Sequence, residues 1–163
     1  MPKFAPLTIK LTATLFALLF VSGCQTVGKT LNLDTDLSLT IKSATNINPD
    51  DAAIPSPLFV RFYQLKSKDL FENANFIDLY ERDQEMFGAD IISKKELKRL
   101  TPGELREESF VLDSDTQYVA LFSEFFKFEE SEYLVIVPIQ TNNVFKDKIV
   151  VNITSNTMSV AKN

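Results

Sequence analysis

The chain has 163 residues, with 17 basic against 22 acidic side chains, no histidine and a single cysteine. An acidic body of this kind repels phosphate backbones, which argues against a nucleic-acid partner, and the missing histidine and lone thiol remove the usual general base, the usual zinc donors and any internal disulfide. With 45% apolar residues, including 14 Phe, a domain held by packing alone is within reach.

Lys3 and Lys10 stand near the start without an acidic neighbour, and an apolar run from Leu11 to Val21 leads into Ser22-Gly23-Cys24. This is the layout of a secretory signal. Leu19-Phe20-Val21-Ser22-Gly23-Cys24 resembles the lipobox of bacterial lipoproteins, which implies cleavage after residue 23 and lipid on the Cys24 sulfur. A thiol forms a stable thioether, and small Ser22 and Gly23 let a peptidase approach the backbone. The alternative is an uncleaved membrane helix, but Thr12, Thr14, Ser22, Gly23, Gln25 and Thr26 dilute a segment that would need about 20 predominantly apolar residues. An Asp directly after the lipidated Cys usually retains such proteins in the inner membrane. Gln25 stands there instead, which implies the outer membrane, with the body facing the periplasm. Without a polybasic patch, attachment falls to the acyl chains, each buried CH₂ contributing about 0.8 kcal/mol.

Residues 24–36 read as the lipidated end and a polar tether, and 37–163 as one domain. Leu37, Leu39 and Ile41 alternate with polar residues and predict a half-buried strand. The next stretch, Asn46-Ile47-Asn48-Pro49-Asp50-Asp51-Ala52-Ala53-Ile54-Pro55-Ser56-Pro57, is a long loop stiffened by three prolines. Leu58–Leu65 is β-branched and aromatic enough for a strand covered on both sides, with Leu58, Val60 and Phe62 facing the core. Between Ser67 and Phe87 the period becomes helical: Asn75 and Asp78 resemble a capping box, and Phe76, Leu79, Tyr80, Asp83 and Phe87 follow, up to Gly88. Further strands are predicted near Ile91–Leu97, Glu107–Leu112, Gln117–Phe126, Tyr133–Ile139, Lys146–Thr154 and Thr157–Val160, with Ser155-Asn156 as a two-residue hairpin turn. About eight strands with a short helical insertion at 67–87 predict an all-β, antiparallel β-sandwich.

Four glycines cannot make a phosphate-binding or nucleophile-elbow motif. The carboxylate pairs Asp50-Asp51, Glu107-Glu108 and Glu129-Glu130, with Glu132, are the remaining catalytic option. Their setting in or beside turns reads as solvated surface, so no catalytic residue is assigned. Asp34-Thr35-Asp36 and Asp113-Ser114-Asp115 lack the glycine and distal Glu of a calcium loop, and no metal or cofactor is expected. Alternation through 120–128 puts Phe122, Glu124, Phe126 and Phe128 on one face and Leu121, Ser123 and Phe125 on the other, so most of these rings are assigned to the core, together with Phe76 and Tyr80.

Several segments, in order, carry a resemblance: Asn48-Pro49-Asp50, then Pro57–Leu65, then Phe71 with Ala74–Leu79, then Pro102-Gly103, then Tyr118-Val119-Ala120 running to Phe125. Together with the lipobox they resemble the TssJ family, outer-membrane lipoproteins of the bacterial type VI secretion system. The chain departs from many members in lacking a tryptophan after the Phe-rich strand, where Tyr133 is the candidate replacement. The resemblance implies a transthyretin-like β-sandwich with added helices, no catalysis, and a structural role: anchoring the secretion membrane complex by binding the periplasmic C-terminal domain of TssM. It also implies that the loop at residues 46–57 touches TssM. The residues agree, because three prolines reduce the entropy lost on docking and Ile54 is apolar in a polar loop, although a plain connector would look the same. The competing readings are a free-standing periplasmic ligand-binding or assembly-accessory lipoprotein, which needs an apolar cavity between its sheets, and a carboxylate hydrolase, which needs two convergent acids.

Overall fold

The computed structural model describes residues 35–140 and 147–161. The expected signal peptide, Cys24 and the tether up to residue 34 lie outside the described residues. Among the described residues there are eight strands: β1 Thr35–Ser43, β2 Val60–Leu65, β3 Ile91–Glu96, β4 Leu105–Leu112, β5 Tyr118–Ser123, β6 Leu134–Pro138, β7 Asp147–Thr154 and β8 Thr157–Val160. One α-helix, α1, spans Phe76–Phe87, and single 3₁₀ turns form at Phe71–Asn73 and Phe128–Glu130. Among the described residues no helix is long and apolar enough to cross a membrane.

The strands make two four-stranded sheets, in the orders β4-β1-β7-β8 and β3-β2-β5-β6. β1 explains the first sheet. Leu37, Leu39 and Ile41 are completely buried, because their face packs on the other sheet, and the strand is paired on both sides. It runs antiparallel to β4, with Leu37 opposite Phe110, and parallel to β7, with Ile41 opposite Val151. Alternation carries no strand direction, so the parallel contact leaves no trace in the sequence. The strand also begins two residues earlier than the alternation suggests: Thr35 and Asp36, read as tether, already pair with Leu112 and Val111.

The inner faces meet in the main core, which joins Leu37, Leu39 and Ile41 of β1 to Phe62, Val119, Leu121, Ile149 and Val151. Phe62 stacks on Phe110 across the gap at 4.0 Å between ring centroids. The outer face of β2 and β5 builds a second core with the helical insertion, where Tyr63, Leu65, Ala120 and Phe122 pack on Phe71, Phe76, Leu79 and Phe87. β2 is thus covered on both faces, which is why its sequence is nearly continuous in apolar residues.

The Asn75 side chain caps α1 by accepting from the Asp78 N–H at 2.9 Å, as the Asn75/Asp78 spacing implied. Pro102-Gly103 makes the turn into β4, with Gly103 at φ +79°, a conformation glycine adopts without cost. Ser155 takes φ +52° in the β7–β8 hairpin, the sign that tight hairpin turns require.

The Phe-rich strand is shorter than alternation predicts. β5 stops at Ser123, and the chain turns away so that Phe122 and Phe125 are buried while Phe126 is exposed. Period 2 applies only while the backbone stays extended, and the assignment of Phe126 to the core fails for that reason. Tyr80 is also exposed, although Phe76 is buried as expected.

Candidate functional site

The loop after β1 owes its shape to side chains as much as to prolines. Ile47 is completely buried and Asn48 nearly so. Asn48 is a staple: its Nδ2 donates to the Pro57 carbonyl at 3.2 Å, its Oδ1 accepts from the Phe126 N–H at 2.8 Å, and its own N–H donates to the Ser155 carbonyl at 2.9 Å. It holds φ +47°, a region in which Asn is enriched among non-glycine residues. One buried amide therefore fixes both ends of the loop and ties it to the segment carrying Phe126.

The tip is a second closed unit. The Asp50 Oδ1 accepts from the N–H groups of Ala52 and Ile54, both at 2.9 Å, while the Asp50 N–H donates to the Ile54 carbonyl at 3.0 Å. Asp50 is thus more than a solvated acid: it organises the turn as an Asx-type acceptor. Ala53 sits at φ +60°, and the turn presents Ile54 to solvent. Of residues 46–57, Ile47 and Asn48 are thus turned inward, Pro49, Asp50 and Ser56 are half-buried, and Asn46, Asp51–Pro55 and Pro57 are exposed.

Beside this loop lies an apolar groove of about 570 Å³, lined chiefly by Pro57, Phe59, Ile77, Tyr80, Arg99 and Phe126. Ile54, Phe59, Ile77, Tyr80 and Phe126 are 59%, 51%, 42%, 47% and 64% exposed, and four of these five rings and branched chains line the groove. Scattered apolar side chains are ordinary on a surface, whereas a contiguous group marks an interaction site. Lys127 reaches Asp51 of the tip at 3.7 Å, and the Arg99 guanidinium sits 5.9 Å from the centroid of the Phe59 ring.

Tyr80 is held in place by a charged network that the sequence did not disclose. Arg61 on β2 donates from Nη1 to the carbonyls of Leu79 and Tyr80, at 2.9 and 3.2 Å, and from Nη2 to Glu124 at 2.7 Å. Those carbonyls are available because α1 breaks its helical dihedrals at Arg82 (φ −136°, ψ 28°). Asp83 takes up the slack: its Oδ1 accepts from the Gln84 N–H at 2.7 Å, and its Oδ2 accepts from the Tyr63 hydroxyl at 2.7 Å and from Lys94 at 2.9 Å. Burial works against the Asp83 anion, but the hydrogen bonds from Tyr63 and Lys94 outweigh it and hold the carboxyl below its ordinary range. Burial, reinforced by the Asp83 carboxylate, pushes the Tyr63 phenol well above its own. The guanidinium carbon of Arg61 lies 5.5 Å from the centroids of both Tyr80 and Phe122, and Tyr80 stacks on Phe76 at 5.8 Å. The exposed ring is therefore clamped before any partner arrives.

The other sequence candidates do not converge on this site. Glu107 and Glu108 lie within β4 rather than at a turn, so adjacent side chains point to opposite faces, with Glu108 3.7 Å from Lys95. Asp113 accepts from the Asp115 N–H in a local turn, Glu129 and Glu130 are exposed on the second 3₁₀ turn, and Asp34 lies outside the described residues. Arg61 and Phe126 were not identifiable as site residues, since a lone Arg in a strand and one Phe in an aromatic run carry no motif, and Asn48 entered only as a member of the 46–57 loop, its stapling role unread. The Asn48-Pro49-Asp50 resemblance was the one available signal.

The comparisons with known proteins agree with one another. A family model described as type VI secretion lipoprotein, VasD, EvfM, TssJ matches residues 35–156. No curated protein matches the chain in sequence. Among solved structures, the fold is similar to the type VI secretion lipoprotein TssJ1 from Pseudomonas aeruginosa, with a TM-score of 0.73 at 21% identity over 80% of this chain and 97% of that one. It is similar to Serratia marcescens Lip, a membrane-bound component of the type VI secretion system, with a TM-score of 0.72 at 17% identity over 80% and 98%. A chain in the structure described as the type VI secretion protein TssM C-terminal domain, from EAEC, matches with a TM-score of 0.63 at 23% identity over 78% and 98%. The structural likenesses establish the fold, and the family match spans most of the chain, so this chain belongs to the type VI secretion lipoprotein family.

Proposed function

We propose that this lipoprotein is a structural anchor, held in the outer membrane by lipid on Cys24 and facing the periplasm, whose 46–57 loop and adjoining groove dock the periplasmic C-terminal domain of TssM. It catalyses no reaction in this role. The observation that carries the reading is the grouping of exposed Phe59, Ile77, Tyr80 and Phe126 along one groove, next to the loop that presents Ile54 to solvent. Family membership supports the choice of partner. Preformed loop and ring positions reduce the ordering cost of docking.

Ile54→Asp tests the partner. Truncating an interface anchor costs about 2 kcal/mol or more, and an unpaired charge adds to it, so affinity for the TssM periplasmic domain falls at least about thirty-fold in calorimetric titration while fold stability holds. Glu130→Ala, on an exposed turn, stays within about twofold of wild type. Equal affinities for Ile54→Asp and wild type would move docking off this loop. Cys24→Ser tests the anchor: the hydroxyl does not replace the thiol in lipid transfer, so the variant takes up no lipid label and leaves the outer-membrane fraction. Continued pelleting with that membrane would refute the lipid attachment.

A further inference from the structure

The two sheets present four edge strands, and three of them are blunted. β3 carries Lys94, Lys95 and Glu96, β4 carries Arg106, Glu107 and Glu108, and β8 has only four residues. Charge and brevity are the usual protections against pairing with another chain. β6 reads Leu134-Val135-Ile136-Val137-Pro138, with no charge and with proline only at its end.

Backbone parity shows what this edge offers. The Ser123 N–H donates to the Tyr133 carbonyl and the Ile139 N–H to the Gln117 carbonyl, each at 2.8 Å, so odd-numbered residues of β6 bond to β5. Leu134 and Ile136 therefore direct their N–H and C=O groups away from β5. One position earlier in this outward series, the groups are used: the Glu132 N–H donates to the Asn156 carbonyl at 3.0 Å, and the Glu132 carbonyl accepts from the Met158 N–H at 2.9 Å. This parallel bridge pins β6 to the start of β8 and is an isolated one. In β8, the Ala161 N–H donates to the Val150 carbonyl, so odd-numbered residues face β7 and half-exposed Val160 faces outward. Beyond the pinned corner the strands form a seam, and the main core is incompletely covered beside it: Tyr133, Val135 and Val137 are among its partly buried members.

We propose that this seam takes up an extended strand of a partner protein, added to the edge of β6 and facing β8. Outward amides and carbonyls call for a strand, and the half-covered valines call for alternating apolar side chains. Exposed Glu129, Glu130 and Glu132 at the pinned corner call for Lys or Arg at one end of it. A second copy of this chain is the poorer occupant, because its own β6 is flanked by the same acids. The pinned corner adjoins the 46–57 loop, since the Asn48 N–H donates to Ser155 next to Asn156, but the edge of β6 runs from there towards Pro138.

The test uses the full chain in detergent and a synthetic peptide, Lys-Lys followed by four Val-Thr repeats, with amide hydrogen exchange read by NMR. In the free chain the amides of Leu134, Ile136 and Val160 exchange at least about tenfold faster than those of Val135 and Val137. Saturating peptide slows them by at least about tenfold, and replacing Lys-Lys by Glu-Glu weakens binding. Ile136→Pro removes an outward N–H while sparing the β5 ladder, and it abolishes the effect. Val160→Pro blocks the other wall and decides the matter if Ile136→Pro does not fold. Slow exchange at Leu134 and Ile136 in the free monomer, or no slowing at millimolar peptide, overturns the proposal, and protection that tracks dimerisation hands the edge to a second copy. Ile54→Asp leaves peptide binding unchanged and Ile136→Pro leaves TssM docking unchanged, so the two readings fail separately.

Discussion

Replacing Arg61 by Met tests whether the charged network, rather than apolar packing alone, holds α1 against the sheet. The methionine fills much of the stem volume but supplies no donor. The carbonyls of Leu79 and Tyr80 lose their guanidinium partner, and Glu124, its side chain 18% exposed, loses its cation. A buried acceptor left unsatisfied costs about 1–3 kcal/mol, and removing one member of a buried ion pair costs about 3–5 kcal/mol. Asp83 keeps Tyr63 and Lys94, so the loss falls near the lower end, about 3 kcal/mol. For a domain of this size that lowers Tm by roughly 10 °C. Arg61→Lys restores only part of it, since a single ammonium does not reach Glu124 and both carbonyls together. Urea melts of the three proteins measure the effect. A loss below about 1 kcal/mol for Arg61→Met would refute the reasoning and assign the helix–sheet contact to Phe76, Leu79 and Phe87 instead.

Phe62→Ala opens a cavity where a fully buried ring stacks on Phe110, and it destabilises by about 3–5 kcal/mol in denaturant melts, while Phe59→Ala, on an exposed ring, changes stability by less than about 1 kcal/mol. Asp83 sets part of the acid limb. Its folded-state pKa is depressed, so its contribution is complete above about pH 5 and is lost as pH falls through the depressed value. Wild type therefore loses stability more steeply than Asp83→Asn on acidification, and parallel profiles would remove Asp83 from the account.

The sheets were legible because their strands obey a single period over enough residues. Leu37, Leu39 and Ile41 specify a face, the apolar continuity of Val60–Leu65 specifies burial on both sides, and Asn75 with Asp78 specifies where the helix starts. Legibility fails where a period ends without punctuation. Nothing in Leu121-Phe122-Ser123-Glu124-Phe125-Phe126 announces that β5 stops at Ser123, because no Gly, Pro or Asn marks the exit. The turn is set from a distance, by the Glu124 N–H donating to the Phe59 carbonyl and the Phe126 N–H donating to Asn48. The same holds for Tyr80, which continues the helical pattern but stands just before the kink at Arg82, its carbonyl held by Arg61, a residue nineteen positions earlier.

These long-range contacts bear on how the docking surface should be probed. Asn48 and Arg61 shape the groove, but both also hold the fold, so a loss of binding on substituting either would not separate docking from unfolding. Ile54 and Phe126 differ in kind: each is more than half exposed, and each stands on backbone fixed by other residues, the Asp50 turn for Ile54 and the Asn48 staple for Phe126. Removing an exposed side chain from a backbone that stays put costs little stability. In a docked complex the same side chain leaves water against a partner, and its loss then falls on affinity. The surface is thus divided between residues that build the groove and residues that meet the partner. The fold places the second group on the rigid ends of the first, where apolar rings can stay exposed without collapsing onto one another.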